Sequence, residues 1–132
     1  MSQENVELVR GMAEAFNAGG VGAVREYFHP EIEWHEDPAF PESGIYHGID
    51  AVVDYTDQFL SEFGEIHYEA AQLTEVGQHV LANMKIKGSG KTSGAAFEVS
   101  AWWVLTVRDG QVIRGYAYLD RAAALEAVGL SE

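Results

Sequence analysis

The 132-residue chain has no cysteine, only three prolines, eight Lys and Arg against 21 Asp and Glu, and no apolar run long enough to cross a bilayer. Without thiols there can be neither disulfides nor thiolate metal ligands, which suits a reducing cytoplasm, the expected compartment. A formal charge of −13 repels phosphate backbones and anionic lipid head groups, so neither nucleic acid nor a membrane is an expected partner. The opening Met1-Ser2-Gln3-Glu4-Asn5 is polar and acidic where a secretory leader would be basic and then apolar. What is present is an apolar share of 47% in a chain of one-domain length, enough for a single core spanning residues 1–132.

Helical spacing joins Val6, Val9, Ala13 and Phe16, with Met12 beside them, and predicts a helix over 4–17 that Ser2 can cap and Asn17-Ala18-Gly19-Gly20 ends. Residues 21–28 read as a short second helix stopped by His29-Pro30. Ile32 and Trp34 alternate with Glu31, Glu33 and His35 as in a half-buried strand. An irregular loop from Asp37 to Gly48 follows, carrying Pro38 and Pro41. Ile49, Val52, Val53, Phe59, Leu60 and Phe63 mark a third helix over 49–63, closed by Gly64. Strands are predicted over 66–76, 79–88, 96–108 and 111–119, paired sequentially and antiparallel, with Asp109-Gly110 as a tight hairpin turn. Asp120 can cap a terminal helix over 122–128.

Ala101-Trp102-Trp103-Val104-Leu105-Thr106-Val107 is apolar on both faces, so each face needs a cover. Helices can cover one. A second copy of the chain is the expected cover of the other, making a homodimer through the face bearing Trp102, Val104, Tyr116 and Tyr118.

This order of elements, with Ala15-Phe16-Asn17-Ala18-Gly19, His29-Pro30-Glu31-Ile32-Glu33-Trp34, Tyr46-His47-Gly48 and the stretch Tyr118 to Leu130, resembles the SnoaL-like branch of the nuclear transport factor two superfamily. That branch includes polyketide cyclases and is related to ketosteroid isomerases. The resemblance covers nearly the whole chain and implies a cone-shaped α+β fold: a curved, mainly antiparallel sheet covered by three N-terminal helices, with a short C-terminal helix. Its pocket lies between sheet and helices. The superfamily also contains ligand binders and protein-binding modules, so the chemistry has to come from the site.

Glu36-Asp37-Pro38 is similar to the Glu-Asp-Pro of ketosteroid isomerases, where the Asp moves a proton between carbons, which makes Asp37 the first candidate base. The alternative is an Asp that opens a turn before Pro38. The isomerases' enolate donors, a Tyr on the first helix and a protonated Asp on a late strand, correspond here to Met12 and Trp103. The cyclases' Asp and His correspond to Ala117 and again Trp103. Trp103 can donate through its indole N–H, and Tyr46 through its hydroxyl.

Strand alternation puts Ala101, Trp103, Leu105, Gly115 and Ala117 on the pocket face. With Met12, Phe16, Trp34, Phe59 and Met84 nearby, that face suits a flat or bulky apolar ligand, or else the aromatics simply fill the cone. Glu36, by strand phase, and Tyr46 are the polar groups expected to reach the pocket, or to form its solvated rim.

The five histidines form no metal-binding pair, Gly88-Ser89-Gly90-Lys91 joins strands rather than strand to helix, and no Gly-x-Ser-x-Gly elbow occurs. No metal or cofactor is expected. Nor can the Asp-Arg-Asp set of an epoxide hydrolase be assembled, since Arg108 and Arg114 flank the last turn. The first expectation is an isomerase or cyclase acting on a small apolar carbonyl compound, with Asp37 as base and Trp103 or Tyr46 as donor. A noncatalytic ligand-binding or dimeric interaction module is the other.

Overall fold

The computed structural model describes residues 2–39 and 44–129. Helix α1 (Ser2–Gly19) buries Val9, Met12 and Ala13, the stripe that helical spacing marks. Ser2, the expected cap, is instead the first residue of α1, and its side chain lies outside what the structure describes. Val21–Tyr27 forms a 3-10 helix burying Val21 and Val24, and strand β1 (Phe28–His35) starts at once after it. The strand thus begins earlier than alternation suggested. Pro30 cannot donate to a ladder, and pairing with the neighbouring strand skips from Phe28 to Glu33 across it.

Part of the segment read as an irregular loop is a strand. Strand β2 (Ile45–His47) folds back antiparallel on β1, pairing Trp34 with Tyr46. Residues 40–43 of that loop lie outside the described residues. Helix α2 (Ile49–Leu60) ends three residues short of the expected limit, because Phe63 has left it for strand β3 (Phe63–Val76). There its ring packs on Phe59 and on Phe97, 5.1 Å between centroids in each case.

Strands β4 (His79–Gly90), β5 (Ala96–Arg108) and β6 (Gln111–Tyr118) complete an open six-stranded sheet of order β2-β1-β6-β5-β4-β3. The hairpins pair antiparallel as expected, and β1 joins β6 in parallel, so the sheet is mixed. Asp109 and Gly110, at φ 54° and 76°, make the two-residue turn between β5 and β6.

Met84, Ala101 and Leu105 face inward toward α1, the 3-10 helix and α2, forming the main core with Ile32 and Val112. On the other face, helix α3 (Arg121–Ala127), capped by Asp120 through the Ala122 N–H, seats Ala124 and Leu125 on Leu81 and Val104. The chain therefore covers part of the face assigned to a second subunit. Trp102, Tyr116 and Tyr118 stay half-buried beside α3.

Candidate functional site

Between the concave sheet face and the helices lies a cavity of about 120 Å³. Helix α1 contributes Met12, Ala13 and Phe16, the 3-10 helix Val21 and Val24, and α2 Val52, Tyr55, Thr56 and Phe59. The sheet contributes Phe28, Trp34, Tyr68, Met84, Ile86, Ala101, Trp103 and Ala117; Glu36 and the Tyr118-Leu119 strand end complete the wall. Small residues on β5 and β6 make the space, and aromatic rings bound it. Among the described lining residues Glu36 is the only acid, and no Lys, Arg or His is present.

Trp34 can lie across the sheet because its neighbour in register on β6 is Gly115. A Cβ at Gly115 would collide with the indole. The indole meets Trp103 edge-on, centroids 5.4 Å apart, and Trp103 continues to Tyr68 at 5.7 Å and Tyr68 to Phe16 at 4.6 Å. Four rings thus run unbroken from β1 across β5 and β3 to α1.

Glu36 sits just past the end of β1, where its backbone N–H still donates to the Gly44 carbonyl at 3.0 Å. Its Oε2 accepts the Tyr55 hydroxyl at 2.7 Å and the Trp34 indole N–H at 3.3 Å, and its Oε1 accepts the Asp37 amide at 3.3 Å. All three partners are neutral donors. Burial, then the hydrogen bond to Glu36, pushes the Tyr55 phenol far above its ordinary range, so it stays protonated and donating. Tyr46 stacks on the Tyr55 ring at 4.2 Å.

Tyr68 is tied by its backbone to the Asn17 side chain, which donates to its carbonyl at 2.7 Å and accepts its N–H at 2.9 Å. Its hydroxyl has no hydrogen-bond partner among the described residues. Burial raises its pKa strongly, and the Glu36 charge adds to the shift.

Of the residues singled out from sequence, Met12, Phe16, Trp34, Glu36, Phe59, Met84, Ala101, Trp103 and Ala117 all line this cavity. Asp37 and Tyr46 do not. The Asp37 carboxylate turns to the strand ends, accepting the Ala39 N–H at 2.8 Å and the Leu119 N–H at 3.0 Å, which is the turn-opening role. Tyr55 and Tyr68 were not anticipated. Both carried a signal: Tyr55 falls between Val52 and Phe59 on the i, i+3, i+7 stripe of α2, and Tyr68 shares strand phase with Ile66 and Ala70.

Residues 9–115 match the SnoaL-like domain family. The chain belongs to that family. No curated protein matches this SnoaL-like chain at a significant level. Solved structures share its fold. A protein from Jannaschia sp. CCS1 described as a SnoaL-like polyketide cyclase is 21% identical, with 98% of this chain and 94% of that one covered and a TM-score of 0.76. TerC, co-crystallised with polyporic acid, is 17% identical over 95% of this chain and 98% of its own, at a TM-score of 0.79. A protein from Catenulispora acidiphila with a ketosteroid isomerase-like fold, in complex with trimethylamine, is 17% identical over 94% and 93%, at 0.75.

Proposed function

We propose that this SnoaL-like protein takes a compact, mainly apolar small molecule into its cavity and moves a proton next to a carbonyl without a cofactor, with Glu36 rather than Asp37 as the base. The observation that carries this reading is that the Glu36 carboxylate and Tyr68, whose hydroxyl has no hydrogen-bond partner among the described residues, line the same cavity, near enough for the Glu36 charge to act on the phenol. Glu36 takes a proton from the carbon beside the carbonyl. The C–H electron pair becomes a C=C bond as the carbonyl π pair moves to oxygen, and Tyr68, protonated at working pH, donates a hydrogen bond to the enolate that forms. Where a C=C bond adjoins that carbon, the product is a dienolate, and return of the proton from Glu36 to its far carbon shifts the double bond into conjugation and completes an isomerisation. Two proteins of the same fold have been crystallised with organic molecules, trimethylamine in one and polyporic acid in the other, which supports an organic small molecule as the occupant.

A second reading, ligand capture without chemistry, is favoured by the three hydrogen bonds that Glu36 already accepts, which suit an anchor as well as a base. Exchange of α-hydrogens with solvent deuterium in a panel of compact ketones separates the two. The catalytic reading requires exchange by the wild type that falls at least about 100-fold in Glu36→Gln and about tenfold in Tyr68→Phe. Wild-type protein that accelerates no exchange removes that reading and leaves capture.

A further inference from the structure

We propose that the occupant this cavity selects is an organic cation, a compact tertiary or quaternary alkylammonium group, with Glu36 as counter-ion and aromatic rings as its cage. The inference deepens the capture reading and rests on the cavity being a ligand site.

The lining holds one acidic group and no basic one among the described residues. Glu36 is half-buried, and among the described residues its carboxylate accepts hydrogen bonds from a phenol, an indole and an amide. Neutral donors satisfy its lone pairs and leave its charge in place. A carboxylate drawn out of water against an apolar wall is best compensated by an opposite charge, and in this cavity only the occupant can bring one. The tyrosines cannot compete for that role, since Tyr55 and Tyr68 are held in their neutral forms.

The rest of the wall fits the same ligand. Phe16, Tyr68, Trp103 and Trp34 form one contiguous arc, and Tyr55 and Phe59 stand on the helix side with centroids 6.4 Å apart. Neighbouring rings in the arc meet at 72°, 43° and 87°, so they form no flat stack, and all four rings line the cavity. Aromatic faces attract a cation through the ring quadrupole, Trp most strongly, and the attraction grows when water is excluded. An alkylammonium group also presents methyl and methylene surface to the methionine, valine and alanine parts of the wall. The −13 charge of the whole chain steers cations toward it and repels anions.

The test is calorimetric titration with choline and with its uncharged isostere 3,3-dimethylbutan-1-ol, in about 0.5 M salt to screen the surface charge. The wild type should bind choline at least about tenfold more tightly than the isostere, a difference of about 1.4 kcal/mol. Glu36→Gln should lose most of that preference while its affinity for the isostere changes less than about twofold. Trp103→Leu, which keeps the carboxylate, should also weaken choline more than the isostere. Equal wild-type affinities would overturn the cation inference and leave the cavity as a ligand site, as would a preference that survives Glu36→Gln. Binding of neither probe, nor of any ketone in the exchange panel, would overturn both.

Discussion

The Tyr55 hydroxyl donates to Glu36 Oε2 over 2.7 Å, joining the middle of α2 to the end of β1 at the cavity wall. This bond fixes the carboxylate against the apolar lining, and the ring that supplies it is itself held by stacking on Tyr46. Removing the hydroxyl with Tyr55→Phe should cost about 1–2 kcal/mol, read as a lower urea midpoint at unchanged slope. In a Glu36→Ala background, which lacks the acceptor, the same Tyr55→Phe change should cost little, because the two changes remove one interaction.

Alkaline titration reports the same environment. Tyr55 and Tyr68 have pKa values raised in the folded state above the ordinary 10.0. Below pH 10 both folded and unfolded chains hold these protons, and the stabilisation of the neutral phenols is fully present. As pH rises past 10 the unfolded chain releases the protons and the folded one keeps them, so stability falls with rising pH. Phenolate absorbance should show at least two tyrosines, Tyr55 and Tyr68, that do not ionise until the protein unfolds. Six tyrosines titrating together near pH 10 in folded protein would contradict this.

Gly115 carries the Trp34 indole. Gly115→Ala forces the ring off the sheet, which should cost about 1–3 kcal/mol by overpacking and shift the tryptophan emission. An alanine variant as stable as the wild type would mean that the indole has another place to go.

Asp37 and Glu36 are adjacent and should behave differently. Asp37→Ala loses two backbone partners at the strand ends and should lower stability by about 1–2 kcal/mol while leaving probe affinity within about twofold. Glu36→Gln should instead weaken choline binding well beyond twofold. If Asp37→Ala instead abolishes choline binding or ketone exchange, the assignment of the site to Glu36 fails.

Much of this was legible in the chain. Alternation along Ala101, Trp103 and Leu105 reports side-chain phase directly, and the phase decides which indole reaches the cavity. Glu36 was placed by the same rule counted from Ile32 and Trp34. Asp37 was assigned by likeness of a tripeptide, and a tripeptide does not encode which of two adjacent carboxylates turns inward. Hydrogen bonds across the fold decide that: the Leu119 amide holds Asp37 at the end of β6, and Tyr55 holds Glu36 at the cavity. The short strand β2 escaped notice because three residues carry too little periodicity to show alternation. The cover of Leu81 and Val104 by α3 is likewise a long-range contact, visible only once the last helix is docked on the sheet.

The most direct measurement is a crystal structure of the protein soaked with the probe that binds most tightly. The account requires ordered density inside the cavity, in contact with Trp103 and with its polar or charged end against Glu36. A probe seated on the outer face beside Trp102 and Tyr116, or lodged at the strand ends on Asp37 with the cavity collapsed around Trp34, would contradict it.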